Sequence, residues 1–311
     1  MGDTKFSIDN QSKEFSDELL IKPKRIASLQ TQSMEITLPK SSGISLKIAP
    51  DATRGNDYPT ARLQKGLLLT HNGLDLSEEG VGFGVPLLKR GIKILYPGNI
   101  ELVSSRNGTL EQVTAKFTLN LEEKVILPGF KSAQSNRLYP VKYLLAAIIR
   151  RWPPLRGFLT TLSNALRWMF GLKTVFEIAE FSSSLIMIYT IDRQAGTLTV
   201  EVDTKNLSGN GITEVFVLNE QGARYFNVYR DSSGTLLRGE TIGCWDKVTA
   251  EQASFLSETH RLAFTLHQVK GATLYRGREL IGSRLAWSGF GYSFQPTIER
   301  FSYQVSIESL Q

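Results

Sequence analysis

Cysteine is nearly absent: Cys244 is the only one in 311 residues. A single thiol excludes an internal disulfide framework and any cysteine-rich metal site, so a reducing, cytoplasmic location is the expectation. Histidine is almost as scarce, with His71, His260 and His267 alone. No His-x-His or His-Glu-x-x-His spacing occurs, and no metal is expected. His260 and His267 bracket Arg261–Leu266, and their odd separation points them to opposite faces of a regular strand. There is no Gly-x-Ser-x-Gly elbow, and Cys244 beside Trp245 reads as an inert thiol rather than a nucleophile. The run Gly80-Val81-Gly82-Phe83-Gly84 is no dinucleotide fingerprint, because Val85 stands where a third glycine is needed. No cofactor is expected. No apolar run reaches the roughly 20 residues of a membrane-spanning helix, and no N-terminal leader is expected. No repeat and no low-complexity tract occurs.

Acidic residues are missing from one long window. Between Lys124 and Phe176 there is no Asp or Glu, whereas Lys124, Lys131, Arg137, Lys142, Arg150, Arg151, Arg156, Arg167 and Lys173 are basic. The whole chain carries only +6, so the rest is slightly acidic. Within this window Leu144, Leu145, Ile148, Ile149 and Trp152 share one helical face, started by Pro140 and stopped by Pro153 and Pro154. Leu155, Phe158, Leu159, Leu162, Leu166, Met169 and Phe170 make a second stripe that Gly171 ends. A helical hairpin inserted at about 140–171 is the expectation. Arg150, Arg151, Trp152, Arg156 and Trp168 are then the candidates for an anionic membrane surface. The alternative is a stripe packed on a β core. Nucleic acid is disfavoured as a partner, since the basic excess sits in an apolar helical stretch without a recognised motif.

What remains reads as strand. Residues 1–33 are polar and are expected to form a loose segment. A single large β domain is expected over 34–311, with β blocks at 34–128 and 174–311 on either side of the hairpin at 138–173. Met34–Leu38 and Gly43–Ile48 flank a turn. Leu198, Val200 and Val202 alternate with Thr199, Glu201 and Asp203, and Phe301, Tyr303, Val305 and Ile307 alternate with Ser302, Gln304, Ser306 and Glu308. One further short helix is expected at Ala250–Ser257, with Thr249 as N-cap and Gln252 in the capping-box position. The count of about 16–18 strands predicts a mainly β fold, a large antiparallel two-sheet sandwich or two barrel-like halves.

The segment Gly196–Asn210, with Leu198-x-Val200 and Asn206, followed by Val215–Phe226, resembles the middle of the galactose mutarotase (aldose 1-epimerase) superfamily. Gly84-Val85-Pro86 and Tyr96-Pro97 are similar to that family's early substrate-facing turn. The resemblance covers about 60 residues and implies a β-supersandwich of the kind carbohydrate-active proteins use. The family's catalytic histidine precedes a Tyr-Phe pair. Here Gly222-Ala223-Arg224 stands before Tyr225-Phe226, and the family's late glutamate has no clear counterpart. Mutarotation needs an acid and a base on opposite sides of the ring, so the resemblance implies sugar binding without epimerase chemistry.

The residues themselves supply a candidate patch. A pyranose has an apolar face and a hydroxyl rim, so its sites combine aromatic platforms with planar polar side chains. Arg224, Tyr225, Tyr229, Asp231, Trp245 and Trp287 are the ligand-binding candidates. Glu220, Asp246 and His260 are the candidates for acid or base in a lyase- or epimerase-type reaction. Against this, Asp231 and Gly234 suit the first and fourth positions of an ordinary hairpin turn. A carbohydrate ligand is the leading expectation. The alternatives are a peripheral membrane or lipid-binding protein, possible through the basic hairpin, and a carboxylate enzyme.

Overall fold

The structure, a computed structural model, describes residues 34–38, 43–49, 63–126, 173–207, 210–281 and 285–310. Eighteen strands are present among them, and the strand count agrees with the alternation read above. They are β1 (Met34–Thr37), β2 (Ile44–Ile48), β3 (Leu68–His71), β4 (Leu74–Asp75), β5 (Gly82–Arg90), β6 (Lys93–Asn107), β7 (Leu110–Ile126), β8 (Lys173–Asp192) and β9 (Thr197–Asp203). Then follow β10 (Glu214–Gly222), β11 (Val228–Asp231), β12 (Leu236–Arg238), β13 (Cys244–Lys247), β14 (Gln252–Ser257), β15 (Leu262–His267), β16 (Ala272–Ile281), β17 (Leu285–Phe294) and β18 (Arg300–Ser309).

No α-helix occurs among the described residues, and the 3-10 turns Lys205–Leu207 and Gly239–Ile242 are the only helical segments there. The hairpin expected at 140–171, with Arg150, Arg151, Trp152, Arg156 and Trp168, lies outside the described residues. No helix among the described residues is long and apolar enough to cross a membrane. The helix expected at Ala250–Ser257 is a correction: Gln252–Ser257 is strand β14, hydrogen-bonded to both β11 and β15. Tertiary pairing overrides the local capping signal there, because Ala253 and Phe255 are fully buried and the Ser254 and Thr265 hydroxyls pair at 2.7 Å.

The sheet arrangement also differs from two separate large sheets. Fourteen strands form one antiparallel sheet, ordered β12-β11-β14-β15-β18-β9-β8-β7-β6-β5-β10-β17-β16-β13, and β1-β2-β3-β4 form a small second sheet. A twisted sheet of more than about ten strands curls or folds back on itself. Here the wing containing β14, β15 and β18 faces the wing containing β5, β10 and β17. Phe264 on β15 meets Phe83 on β5 at 5.3 Å and Phe290 on β17 at 5.9 Å, ring to ring. Tyr303 on β18 meets Tyr292 on β17 at 4.6 Å. Both β blocks thus supply one apolar cluster.

Period-two patterning builds that core. Phe301, Tyr303, Val305 and Ile307 of β18 are buried, while Ser302, Gln304 and Glu308 are exposed. Register then lines up inward residues across strands: Val113, Tyr189, Val200 and Tyr303 follow one another through β7, β8, β9 and β18. Burial raises the pKa of the Tyr189 and Tyr303 phenols far above the ordinary range. Each therefore stays a neutral donor, to the Gly84 carbonyl at 2.6 Å and to Asn219 Oδ1 at 2.7 Å. The Tyr303 bond ties β18 to β10 across the two wings and the Tyr189 bond ties β8 to β5, each where an unsatisfied polar group would cost about 1–3 kcal/mol.

Candidate functional site

The sequence candidates separate into three places. The first is the outer face of β10, β17, β16 and β13. Opposed residues there are Glu220 with Gly289, Gly289 with Gly277, and Trp287 with Glu279. Side chains alternate along each strand, so Glu220, Trp287, Glu279 and the glycines share a face. Glycine leaves this face flat. A Cβ on Gly277 would come within 2.8 Å of the Trp287 ring, and one on Gly291 within 2.9 Å of the Trp245 ring. The two indoles stack at 4.8 Å with an interplanar angle of 22°. Trp287 is buried and Trp245 half-buried.

Trp245 reaches this position through strained backbone. Its φ is +62°, at the point where the β13–β16 register shifts between Cys244 and Asp246. A bulky aromatic in the left-handed region is a conformational outlier, and strain of this kind costs on the order of 1–3 kcal/mol. A β-bulge commonly serves to re-aim a side chain. Here it lays an indole on the sheet.

The two carboxylate candidates do not meet: Glu220 shares this face, whereas Asp246 opposes Arg276 across the register shift and so belongs to the other face. Glu220 is 2% exposed and accepts the Val81 N–H at 3.3 Å. Asp246 lies on β13, three strands from β10. At about 4.8 Å per strand their backbones are roughly 14 Å apart. That exceeds the roughly 5–9.5 Å at which paired carboxyl groups work on a glycosidic bond.

The second place holds Tyr229 and Asp231. Tyr229 is fully buried, and its hydroxyl donates to Asp231 Oδ2 at 2.8 Å. Asp231 Oδ1 accepts the Ser233 and Thr235 N–H groups at 3.0 and 3.2 Å and the Ser233 hydroxyl at 2.6 Å. Partial burial disfavours the carboxylate, but these bonds outweigh it and hold Asp231 below the usual carboxylate range. Burial is also the main cause that pushes the Tyr229 phenol up. Gly234 N–H closes the turn on the Asp231 carbonyl at 3.1 Å. The carboxylate is occupied by its own β-turn. Arg276 stacks over the Tyr229 ring at 4.7 Å and donates to the Ile242 carbonyl at 3.0 Å. Arg278, two residues on and facing the same way, pairs with Glu240 at 2.7 Å. Neither arginine was among the candidates, although an Arg-x-Arg pair on a strand was readable as one-faced.

The third place gathers Arg224, Tyr225 and His260 with residues that sequence reading missed. Arg224 pairs with Glu78 at 2.6 Å, and its N–H donates to the same carboxylate at 3.2 Å. The Tyr225 ring meets the His260 ring edge-on at 5.2 Å. His260 Nδ1 lies 3.5 Å from His71 Nδ1, and Asn72 lies 3.4 Å from His71 Nε2. Burial, then the neighbouring His71, holds the His260 pKa below the ordinary histidine value. The small sheet is tied here to the large one: Leu69 N–H donates to Gln221 Oε1 at 3.3 Å, and Gly222 N–H to the Leu76 carbonyl at 2.8 Å. No sequence signal joins His71 to His260.

No family model and no curated protein matches this chain. Solved structures do. The α-N-acetylgalactosaminidase NagBb from Bifidobacterium bifidum aligns at 12% identity with a TM-score of 0.47, over 89% of this chain and 36% of that one. A glycosyl hydrolase family 38 protein from Enterococcus faecalis aligns at 11% identity and a TM-score of 0.43, over 91% of this chain and 31% of that one. The structure of HI1317 aligns at 8% identity and a TM-score of 0.32, over 86% and 90%. The chain therefore spans about a third of the two glycosidases it is similar to.

Proposed function

We propose that this protein binds a carbohydrate on a mutarotase-like β-supersandwich, without epimerase chemistry, and that the Trp245–Trp287 stack is the sugar platform. One observation carries the reading. A tryptophan is held in left-handed backbone at a bulge, on a glycine-floored sheet face, against a second tryptophan. Strain of that kind persists where the surroundings over-determine it, and such places cluster at ligand sites. Trp245 supplies the apolar surface that stacks on a pyranose face. Glu279, opposite Trp287 in register, supplies a planar acceptor for the hydroxyl rim. The wide separation of Glu220 and Asp246, and the location of His260 elsewhere, supports binding over acid–base chemistry.

Indole fluorescence reads the test directly. A panel of neutral mono- and oligosaccharides is titrated into the full chain, with melting temperature followed in parallel. At least one sugar is expected to quench or shift the emission and raise the melting temperature. Trp245→Ala is expected to weaken that sugar at least tenfold, about 1.4 kcal/mol. A panel without any response, or a response unchanged in Trp245→Ala, overturns the proposal.

A further inference from the structure

His71 closes β3 and His260 sits in the β14–β15 connection, 189 residues apart in the chain, yet their Nδ1 atoms face each other at 3.5 Å. A direct N–H···N bond is a poor account of that spacing, since good protein hydrogen bonds from nitrogen run at about 2.7–3.2 Å. Another geometry fits better. Two imidazole nitrogens each about 2.0–2.1 Å from one ion, at a tetrahedral angle, stand about 3.4 Å apart.

We propose that His71 and His260 form a two-histidine site for a late first-row divalent transition metal, bound through both Nδ1 atoms. The surroundings suit it. Asn72 Nδ2 stands 3.4 Å from His71 Nε2. A metal on Nδ1 requires the proton on Nε2, and a flip of the Asn72 amide then presents Oδ1 to accept that Nε2–H. Tyr225 walls the site by its edge contact with His260 at 5.2 Å. Both histidines are half-buried, so water reaches the other coordination positions. Among the described residues no third His, Cys, Asp or Glu joins these two rings in a metal-suited group. Imidazole-only ligation selects Cu²⁺, Ni²⁺ and Zn²⁺ and leaves Mg²⁺ and Ca²⁺, which require oxygen donors, unbound. The ion would clamp the β3–β4 turn of the small sheet to the β14–β15 turn of the large one.

The test uses the full chain without an affinity tag and titrates NiCl₂ by calorimetry, with MgCl₂ as the hard-cation control. One Ni²⁺ per chain is expected, with no Mg²⁺ binding. His71→Gln and His260→Gln are each expected to weaken Ni²⁺ at least tenfold, while His267→Gln, at the exposed end of β15, leaves it unchanged. Asn72→Ala leaves both rings in place and is expected to weaken Ni²⁺ by about 10- to 100-fold. It keeps the test valid should a histidine variant melt early in metal-free buffer. Absence of one-to-one Ni²⁺ binding, or binding unchanged in both His71→Gln and His260→Gln, overturns the site.

Discussion

The tryptophan face and the histidine junction are built in opposite ways. The tryptophan face lies within four adjacent strands, and ladder register sets its neighbours apart from Trp245, which enters at a register shift: Glu220 opposes Gly289, which opposes Gly277. The histidine junction lies between turns from remote parts of the chain. Asn72 and Arg261, each next to one of its histidines, sit in left-handed backbone with φ of +52° and +51°. A register-built site inherits the stiffness of its sheet and fails when packing fails. A turn-built site depends on how the small sheet docks and tolerates substitution with little loss of fold.

Substitutions break that comparison in graded steps. The largest effect is expected at Trp287, which is 3% exposed. Trp287→Ala should cost about 3–5 kcal/mol in chemical denaturation, as for other buried aromatics, and should abolish any sugar response with it. Gly289→Ala comes next. Its Cβ would meet the Asn219 carbonyl oxygen at 2.0 Å, and backbone cannot swing aside. A loss of roughly 1–3 kcal/mol, or more, is expected from the urea midpoint. Gly291→Ala sharpens the contrast, because there the clash at 2.9 Å is with the Trp245 ring, which can move. Sugar affinity should fall while the melting temperature changes little. Equal stability losses in Gly289→Ala and Gly291→Ala would contradict the distinction drawn between backbone and ring.

Smaller effects belong to the turns. Asp231 is held below its unfolded pKa, so the folded state binds the proton less readily. Its contribution is therefore present above the unfolded value and is lost as pH falls through the lower folded value. Stability measured from neutral pH to below pH ~4 should fall less steeply in Asp231→Asn than in the wild type, and an identical acid limb would remove this account. Smallest of all, Arg224→Ala at the histidine junction removes an ion pair whose arginine is 46% exposed. No more than about 1 kcal/mol is expected, and less at high salt.

Much of the strand pattern was legible because a half-buried strand writes its own period. The inward sets Leu198, Val200, Val202 and Phe301, Tyr303, Val305, Ile307 are buried as the alternation predicts. The Asp231–Gly234 turn was equally readable from residue types. Reading failed where a local signal competed with pairing. Thr249 and Gln252 look like a capping box, yet two flanking strands draw Gln252–Ser257 into the ladder. The candidate patch was half legible. Trp245 and Trp287 stack, and Tyr225 meets His260, but these are two separate places and not one patch.

Sequence by itself determined which residues turn inward along strands that alternate cleanly, such as β9 and β18, and where turns such as Asp231–Gly234 fall, since both depend on neighbours one to four positions away. Tertiary structure alone decided that fourteen strands share one folded sheet, that an indole lies over Gly291, and that His71 faces His260. Those contacts join positions separated by tens to hundreds of residues. They form only when twist closes the sheet on itself and buries its aromatic face.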